Sequence, residues 1–177
     1  IYSAELVSTA LKTVKLKSGD IVVPRTHIVK FGNAGIAFDS DTMRMTAAWE
    51  EGLKLEGLPF SGAHGRFPSL QKDLLFYTQN GPGWSNNSSF AEPRSGDSPK
   101  LGPLPKNWAS FKGIYRHADK IIFSYSVGNS KILDLPELQK VNNVNVFSRT
   151  IQISGNQKLD MALASGTVII DGKKAFV

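Results

Sequence analysis

Two aspartates have a residue type and a spacing that suit metal binding or acid–base catalysis. Asp39 and Asp41 are separated by one residue, so both carboxylates project to one side if the chain is extended there. Such a pair suits Ca²⁺ binding or general acid–base catalysis, although the segment lacks the third oxygen ligand and the glycine of an EF-hand loop. The alternative is structural: one aspartate caps a turn and another pairs with Arg44.

Two histidines extend this set. His64 lies in a loop flanked by glycines, and His117 lies at the end of a predicted strand. Two histidines and an aspartate could bind a metal or act as acid and base. Alternatively, each histidine stabilises a turn through hydrogen bonds. The enzyme hypothesis places four side chains in one cleft, where they act on a sugar: Asp39, Asp41, His64 and His117.

Tryptophans offer a second kind of chemistry, because a flat indole ring can stack on the apolar C–H face of a sugar. Trp84 follows a Gly-Pro-Gly sequence, which predicts a position at a loop tip. Trp108 either stacks in the same way or pins its Pro-rich loop to the sheet, whereas Trp49 lies in an apolar strand and is predicted to be core. The predicted ligand-binding residues are Trp84, Trp108, Arg66, Arg116 and His117.

Apolar and polar residues alternate along most of the chain, so we predict that strands position these residues. The cleanest alternation covers residues 144–153, whereas residues 3–17 fit either a short helix or a strand. Further strands are predicted at residues 21–23, 28–31, 36–38, 43–49, 53–58, 74–78, 111–116, 121–127, 132–135, 159–164 and 167–170. Roughly ten or more strands at this spacing predict an all-β fold, an antiparallel β-sandwich of the jelly-roll or supersandwich type.

Residues 61–110 differ in composition from the rest of the chain. They contain six glycines and six prolines, with many serines and asparagines, which predicts a long set of loops. Aromatic residues in this stretch, among them Phe67, Trp84, Phe90 and Trp108, favour an ordered loop region that packs on the sheet. We therefore predict a single β-sandwich domain over residues 1–177 with a loop-rich insertion at 61–110. Because a strand after Asp171-Gly172 is cut short at Val177, we expect the natural polypeptide to continue.

Composition excludes several classes of function. The absence of cysteine removes disulfide scaffolds, thiol nucleophiles, Cys-ligated metals and covalently attached haem. No apolar run approaches the roughly 18 residues of a membrane span. The net charge of +6 favours an anionic partner, but the basic residues form no nucleic-acid-binding motif, so we expect no nucleic acid. A weaker hypothesis is a basic, adhesin-like module for acidic glycans.

Several short motifs occur in a fixed order between about residue 20 and residue 135. They are Phe38-Asp39-Ser40-Asp41-Thr42-Met43-Arg44 with Ala47-Ala48-Trp49, Gly62-Ala63-His64-Gly65, Gly81-Pro82-Gly83-Trp84, Gly102-Pro103-Leu104-Pro105-Lys106-Asn107-Trp108, Phe111-Lys112-Gly113-Ile114-Tyr115-Arg116-His117 and Phe123-Ser124-Tyr125-Ser126-Val127-Gly128. In combination they resemble an uncharacterised domain family near the N-terminal side of large exported bacterial proteins. Ala118 stands where that family prefers glycine, a minor departure in a turn.

The resemblance implies a context rather than an activity. Proteins with this domain often also carry a c-type cytochrome domain, a sugar-dehydrogenase-like propeller or a lectin-like, glucanase-related module. The leading hypothesis is therefore a non-catalytic module of a periplasmic or extracellular multidomain protein, which binds carbohydrate or scaffolds neighbouring redox or hydrolytic domains. Its expected partners are the other domains of the same polypeptide and a polysaccharide. Any covalent haem would lie on a partner domain, and we expect no cofactor in this chain other than Ca²⁺ at Asp39 and Asp41.

Overall fold

The computed structural model describes residues 2–9, 13–16, 19–22, 25–54, 69–96 and 100–164. Their strands are β1 (Glu5–Thr9), β2 (Thr13–Leu16), β3 (Gly19–Val22), β4 (Thr26–Phe31), β5 (Ala34–Asp39), β6 (Arg44–Trp49), β7 (Leu53–Lys54), β8 (Ser69–Leu70), β9 (Phe76–Tyr77), β10 (Ala109–His117), β11 (Lys120–Val127), β12 (Ser130–Val141) and β13 (Val144–Ser154).

Two antiparallel sheets carry most of these strands. The first has the order β1-β4-β5-β6-β9 and the second the order β10-β11-β12-β13, while β2-β3 and β7-β8 form two small pairs. Within the described ranges the chain forms no helix. The arrangement confirms the predicted all-β class and is consistent with a β-sandwich.

The main core lies between the two sheets, where apolar side chains of each sheet meet. Alternate residues of β11 point inward, so Phe123 and Tyr125 are buried while their neighbours are only partly covered. Phe38 of β5 stacks on Phe123, with ring centroids 4.2 Å apart. This aromatic contact joins the first sheet to the second at the centre of the molecule.

The first sheet is also covered on its other face. Ile28, Ala37 and Trp49 form a second apolar cluster, packed against side chains that include Leu53 and Leu74. Consequently every residue of β5 and β6 is buried. Burial on both faces explains why residues 43–49 show no alternation in the sequence. The prediction that Trp49 is a core residue is confirmed.

Some predicted elements differ from those in the structure. For residues 3–17 the sequence left helix and strand open, and their described part forms the strands β1 and β2. The strand predicted at 159–164 is wrong, because only Met161 forms a bridge, to Trp84. This segment instead docks on a loop, where Asp160 O accepts from Ser85 N at 2.8 Å. The strand predicted at 167–170 lies outside the described residues.

Candidate functional site

Asp39 ends β5 and organises the turn that leads into β6. Its Oδ1 accepts a hydrogen bond from Asp41 N at 2.9 Å, and its Oδ2 accepts one from Thr42 Oγ1 at 2.7 Å. Arg44 Nη2 lies 4.0 Å from the same Oδ2, and both side chains are 2% exposed. Asp39 therefore caps the turn and also pairs with Arg44, whereas the structural alternative divided these two roles between two aspartates.

The charged side chain of Arg44 is buried, and it links β6 to the segment before the Gly81–Trp84 loop. Its Nη1 donates to the carbonyl oxygen of Gln79 and, at 3.4 Å, to Asn80 Oδ1. Burial lowers the pKa of Arg44 to about 10, although the Asp39 carboxylate opposes that shift. The guanidinium is therefore charged at neutral pH and fixes the start of the loop.

Asp41 is buried as well, but its carboxylate has a looser environment. Its Oδ1 lies 3.7 Å from Arg25 Nη1, and the Arg25 side chain is largely exposed. Burial and, secondly, the nearby Asp39 carboxylate raise the pKa of Asp41, while Arg25 and Arg94 oppose the shift. The backbone oxygen of Asp41 accepts from Leu104 N at 2.9 Å, which attaches the Pro-rich loop to this turn.

The two loop tryptophans lie inside the protein. Trp84 is 2% exposed, so its predicted position at a loop tip is wrong. Its Nε1 donates to Tyr125 Oη at 3.2 Å. Trp108 is also buried and donates from Nε1 to the Trp84 carbonyl oxygen at 2.9 Å, so it pins its loop as one alternative predicted. Both indole rings are packing anchors in this structure, and their faces are covered.

A buried polar network continues from Trp84 into the second sheet. Tyr125 Oη donates to Asp134 Oδ2 at 3.0 Å, and Arg149 Nε donates to Asp134 Oδ1 at 3.2 Å. Burial, together with Asp134, raises the pKa of Tyr125 well above 10.0. Burial alone would lower the pKa of Arg149, but the Asp134 carboxylate outweighs it and raises that pKa. The sequence analysis missed this network, although Asp134 and Arg149 occupy inward positions of alternating strands.

His117 lies at the other end of the sandwich. It pairs with Lys120 across the β10–β11 hairpin. At the tip of that hairpin, Ala4 N donates a hydrogen bond to Asp119 O at 3.1 Å. Ala4 directly precedes β1. Because Glu5 of β1 pairs with Lys30, Ala4 lies near the end of β4. Asp39 pairs with Thr26 at the opposite end of β4. Four residues of extended chain separate these ends by roughly 13 Å.

The predicted catalytic and metal-binding sets are therefore only partly brought together. Asp39 and Asp41 adjoin, whereas His117 and the exposed Arg116 are far from them. His64 and Arg66 lie outside the described residues. Among the residues that are described, no group of three or more His, Asp or Glu side chains is placed to hold a metal ion. The predicted Ca²⁺ site thus gains no third carboxylate or histidine ligand from this part of the chain.

Several motif segments meet at the end of the sandwich that carries Asp39. Gly83 N donates to Thr42 O at 2.8 Å, and Gly128 N donates to Trp108 O at 2.8 Å. Together with the Leu104 contact, these bonds join loops that are distant in sequence. We call this region the loop end; it comprises residues 40–43, 81–86, 102–108, 128–130 and 155–162. The β-sandwich fixes the position of the loop end. Each of its loops either adjoins a strand or docks on a loop that adjoins a strand.

The loop end contains a cleft of about 490 Å³ lined almost entirely by carboxamide and hydroxyl groups. Its lining residues are Asn86, Asn107, Gly128, Asn129, Ser130, Asn156 and Gln157. The asparagine and glutamine side chains are exposed, Ser130 is fully buried, and no lining residue carries a charge. We call this the amide cleft. Its volume falls in the range of small-molecule sites, about 300–1,000 Å³.

The buried tryptophans position two walls of the amide cleft. Asn107 directly precedes Trp108, and Asn86 follows Trp84 by two residues. Sequence reasoning chose the aromatic rings as ligand contacts and missed the amides beside them. The only sequence signal for the amides is an excess of asparagine in residues 61–110, and nothing in it links those residues to Asn129 or Asn156.

These observations define an all-β sandwich domain whose loops pack together at the loop end. A family model described as "Domain of unknown function (DUF6797)" matches residues 36–134, more than half of the chain, and the chain belongs to this family. The matched range holds the Asp39 turn, both loop tryptophans and the amide-cleft residues up to Ser130. No curated protein and no solved structure gives a match. Within the described ranges no helix has the length and apolar character needed to cross a bilayer.

Proposed function

We propose that this chain is a non-catalytic module of an exported multidomain protein and that it binds carbohydrate at the loop end. The observation that carries the binding role is the amide cleft, with its four asparagines and one glutamine. A carboxamide has both donors and an acceptor, and so does the array of hydroxyls on a sugar. The exported and multidomain context rests on the motif resemblance.

Rigid support for the cleft favours a binding role. Trp108 is bonded through Nε1 to Trp84 O and through its own carbonyl oxygen to Gly128 N, so three cleft loops share one buried anchor. A site whose supporting residues are fixed by packing loses little conformational entropy on binding. Catalysis is not proposed, because both Asp39 oxygens are engaged in the turn and His117 lies at the opposite end.

Retention on glycans tests the proposal. The purified chain is applied to an array of neutral and acidic glycans, beside an Asn129→Ala variant and an Asn33→Ala control. Asn33 is an exposed asparagine in the β4–β5 turn, at the end of the sandwich opposite Asp39. We expect the wild type and the control to bind the same glycans, with reduced binding by the cleft variant. If the wild type binds no glycan, the carbohydrate function is wrong and scaffolding of neighbouring domains is the candidate left.

A further inference from the structure

β13 is a long and unprotected sheet edge among the described strands. The two main sheets have four edges, formed by β1, β9, β10 and β13. β1 has five residues and β9 has two, whereas β13 has eleven. β10 is also long, but a register shift between Phe111 and Gly113 interrupts it, and it carries Lys112 and Arg116. Short edges, bulges and lysines discourage the addition of a further strand, and β13 has none of these features.

Every second residue of β13 directs its backbone N–H and C=O groups away from β12. Asn142 and Asn143 have positive φ angles of 48° and 67°, which form a type I′ turn. The flanking residues Val141 and Val144 are therefore a hydrogen-bonded pair, and such pairs alternate along the ladder. The even-numbered residues of β13 thus bond to β12, and the odd-numbered residues between 145 and 153 face the open edge. Within the described ranges no residue forms a hydrogen bond with these outward backbone groups.

The residues of β13 are complementary to a second copy of the same strand. If two copies run antiparallel with Thr150 opposite Thr150, Phe147 of each copy lies opposite Ile153 of the other. Odd-numbered residues then face odd-numbered residues, so their outward backbone groups bond to each other. Thr–Thr and aromatic–β-branched pairs are favourable across strands. Ile153 is 46% exposed in the single chain, so the pairing also covers an apolar side chain.

Charge does not oppose this pairing. Arg149 is the single charged residue of β13, and its guanidinium is bonded to the buried Asp134 of its own chain. In the register centred on Thr150 it lies opposite Ile151 of the second copy, so no like charges meet across the strands. The chain has a net charge of +6, so copies repel each other through their basic surfaces, and an uncharged edge is the better contact.

We propose that two copies of this chain associate through β13, antiparallel about a two-fold axis at Thr150. Their four-stranded sheets then form one continuous sheet of eight strands. A two-fold contact uses the same strand on both copies and closes at the dimer, so neither copy keeps β13 open. The self-complementary order of residues favours a second copy over a strand of another polypeptide. This inference is independent of the proposed carbohydrate function.

Charged substitutions at the two-fold axis test the pairing. Sedimentation equilibrium of the purified chain over a wide concentration range measures the dissociation constant of the dimer. Thr150→Lys and Thr150→Glu each place like charges opposite each other, so each should raise that constant by about fivefold or more. An equimolar mixture of the two variants places Lys opposite Glu and should restore the association. Asn33→Lys adds the same charge in the exposed β4–β5 turn and is the control.

Amide hydrogen exchange tests the open edge residue by residue. The amides of Arg149 and Ile151 should exchange more slowly at concentrations where the dimer forms than in dilute solution, because pairing gives them acceptors. The amides of Ser148 and Thr150 already bond to β12 and should be protected equally at both concentrations.

Each outcome supports or overturns the proposal. A dimer that both variants weaken and their mixture restores supports it. A chain that is monomeric at every concentration overturns it, and a dimer that neither substitution at Thr150 weakens has its interface elsewhere. Weakening by both variants without restoration by the mixture would overturn the two-fold axis at Thr150. Protection of Arg149 and Ile151 in the dilute monomer would show that another part of the chain covers β13, which also overturns the proposal.

Discussion

Asp39 and Asp41 stand two residues apart, yet the fold treats their carboxylates differently. Asp39 receives two hydrogen bonds within its own turn and lies beside the Arg44 guanidinium. Asp41 is buried and, among the described residues, forms one ion pair, at 3.7 Å to the exposed Arg25. A turn needs one aspartate to accept its backbone N–H, so the second carboxylate is buried without comparable compensation.

At the scale of this residue, Asp41→Asn tests the cost of that burial. The folded-state pKa of Asp41 is raised above its ordinary 3.8, so the unfolded chain releases its proton first as the pH rises. The wild type therefore loses stability relative to Asp41→Asn as the pH rises from 3.8 through the folded-state pKa. We expect the variant to gain on the wild type between about pH 3 and pH 7, measured by urea unfolding. A difference independent of pH would contradict this, and Asp119→Asn in an exposed turn is the control.

Strands and loops are joined in this protein by buried polar contacts as well as by apolar packing. Tyr125 of β11 connects the Trp84 loop to Asp134 of β12, and Arg149 of β13 completes the chain of hydrogen bonds. Asp134 is paired with Arg149, so its charge is compensated even though it is fully buried. The network therefore holds a loop of the candidate site against three strands of the second sheet.

At the scale of these elements, Tyr125→Phe should loosen the loop. The substitution removes the acceptor of Trp84 Nε1 and leaves that buried N–H without its partner. We expect a loss of about 1–3 kcal/mol in the free energy of unfolding, measured by urea titration followed through tryptophan fluorescence. Tyr115→Phe makes the same chemical change at a side chain that is 59% exposed. Equal stabilities of the two variants would show that the network does not hold the loop.

The whole molecule has two unlike ends. The hairpin end carries His117 and the exposed Tyr115, while the loop end carries the Asp39 turn, the buried tryptophans and the amide cleft. Gly83 packs closely against the backbone of Met43 and Arg44. A Cβ at that position would come within 2.2 Å of Met43 O and 2.8 Å of Arg44 Cα. Both contacts are with backbone atoms, which cannot rotate away as a side chain can.

At the scale of the molecule, Gly83→Ala should therefore undock the loop end. We expect a loss of about 3 kcal/mol or more in the free energy of unfolding, together with loss of glycan retention. Gly102→Ala is the matched control, because Gly102 has a φ of +85° but a Cβ added there would meet no heavy atom within 4 Å. That variant should lose only about 1 kcal/mol, the cost of the left-handed backbone. Equal losses in differential scanning calorimetry and urea titration would contradict the docked loop.

Much of the fold was predictable because alternation records which face of a strand is buried. Residues 121–127 and 144–153 follow it, and both are strands in the structure. The prediction for residues 159–164 failed because a short apolar segment can also be covered by docking on a loop. For Trp84, the Gly-Pro-Gly sequence indicated a loop, and residues 81–83 lie outside the strands, but it could not show that Gly83 packs against Met43 and draws the ring inward.

The all-β class, the burial of Trp49, a turn-capping role for one aspartate and the absence of thiol chemistry could be predicted from the sequence. Each of these depends on local pattern or on residue type alone. The tertiary contacts were needed to show that the tryptophans are anchors, that His117 and Asp39 lie at opposite ends, and that four asparagines and a glutamine line one cleft. Those properties depend on which loops meet in space. Pairing between strands that are distant in the sequence determines which loops meet, and the order of residues within a single loop does not.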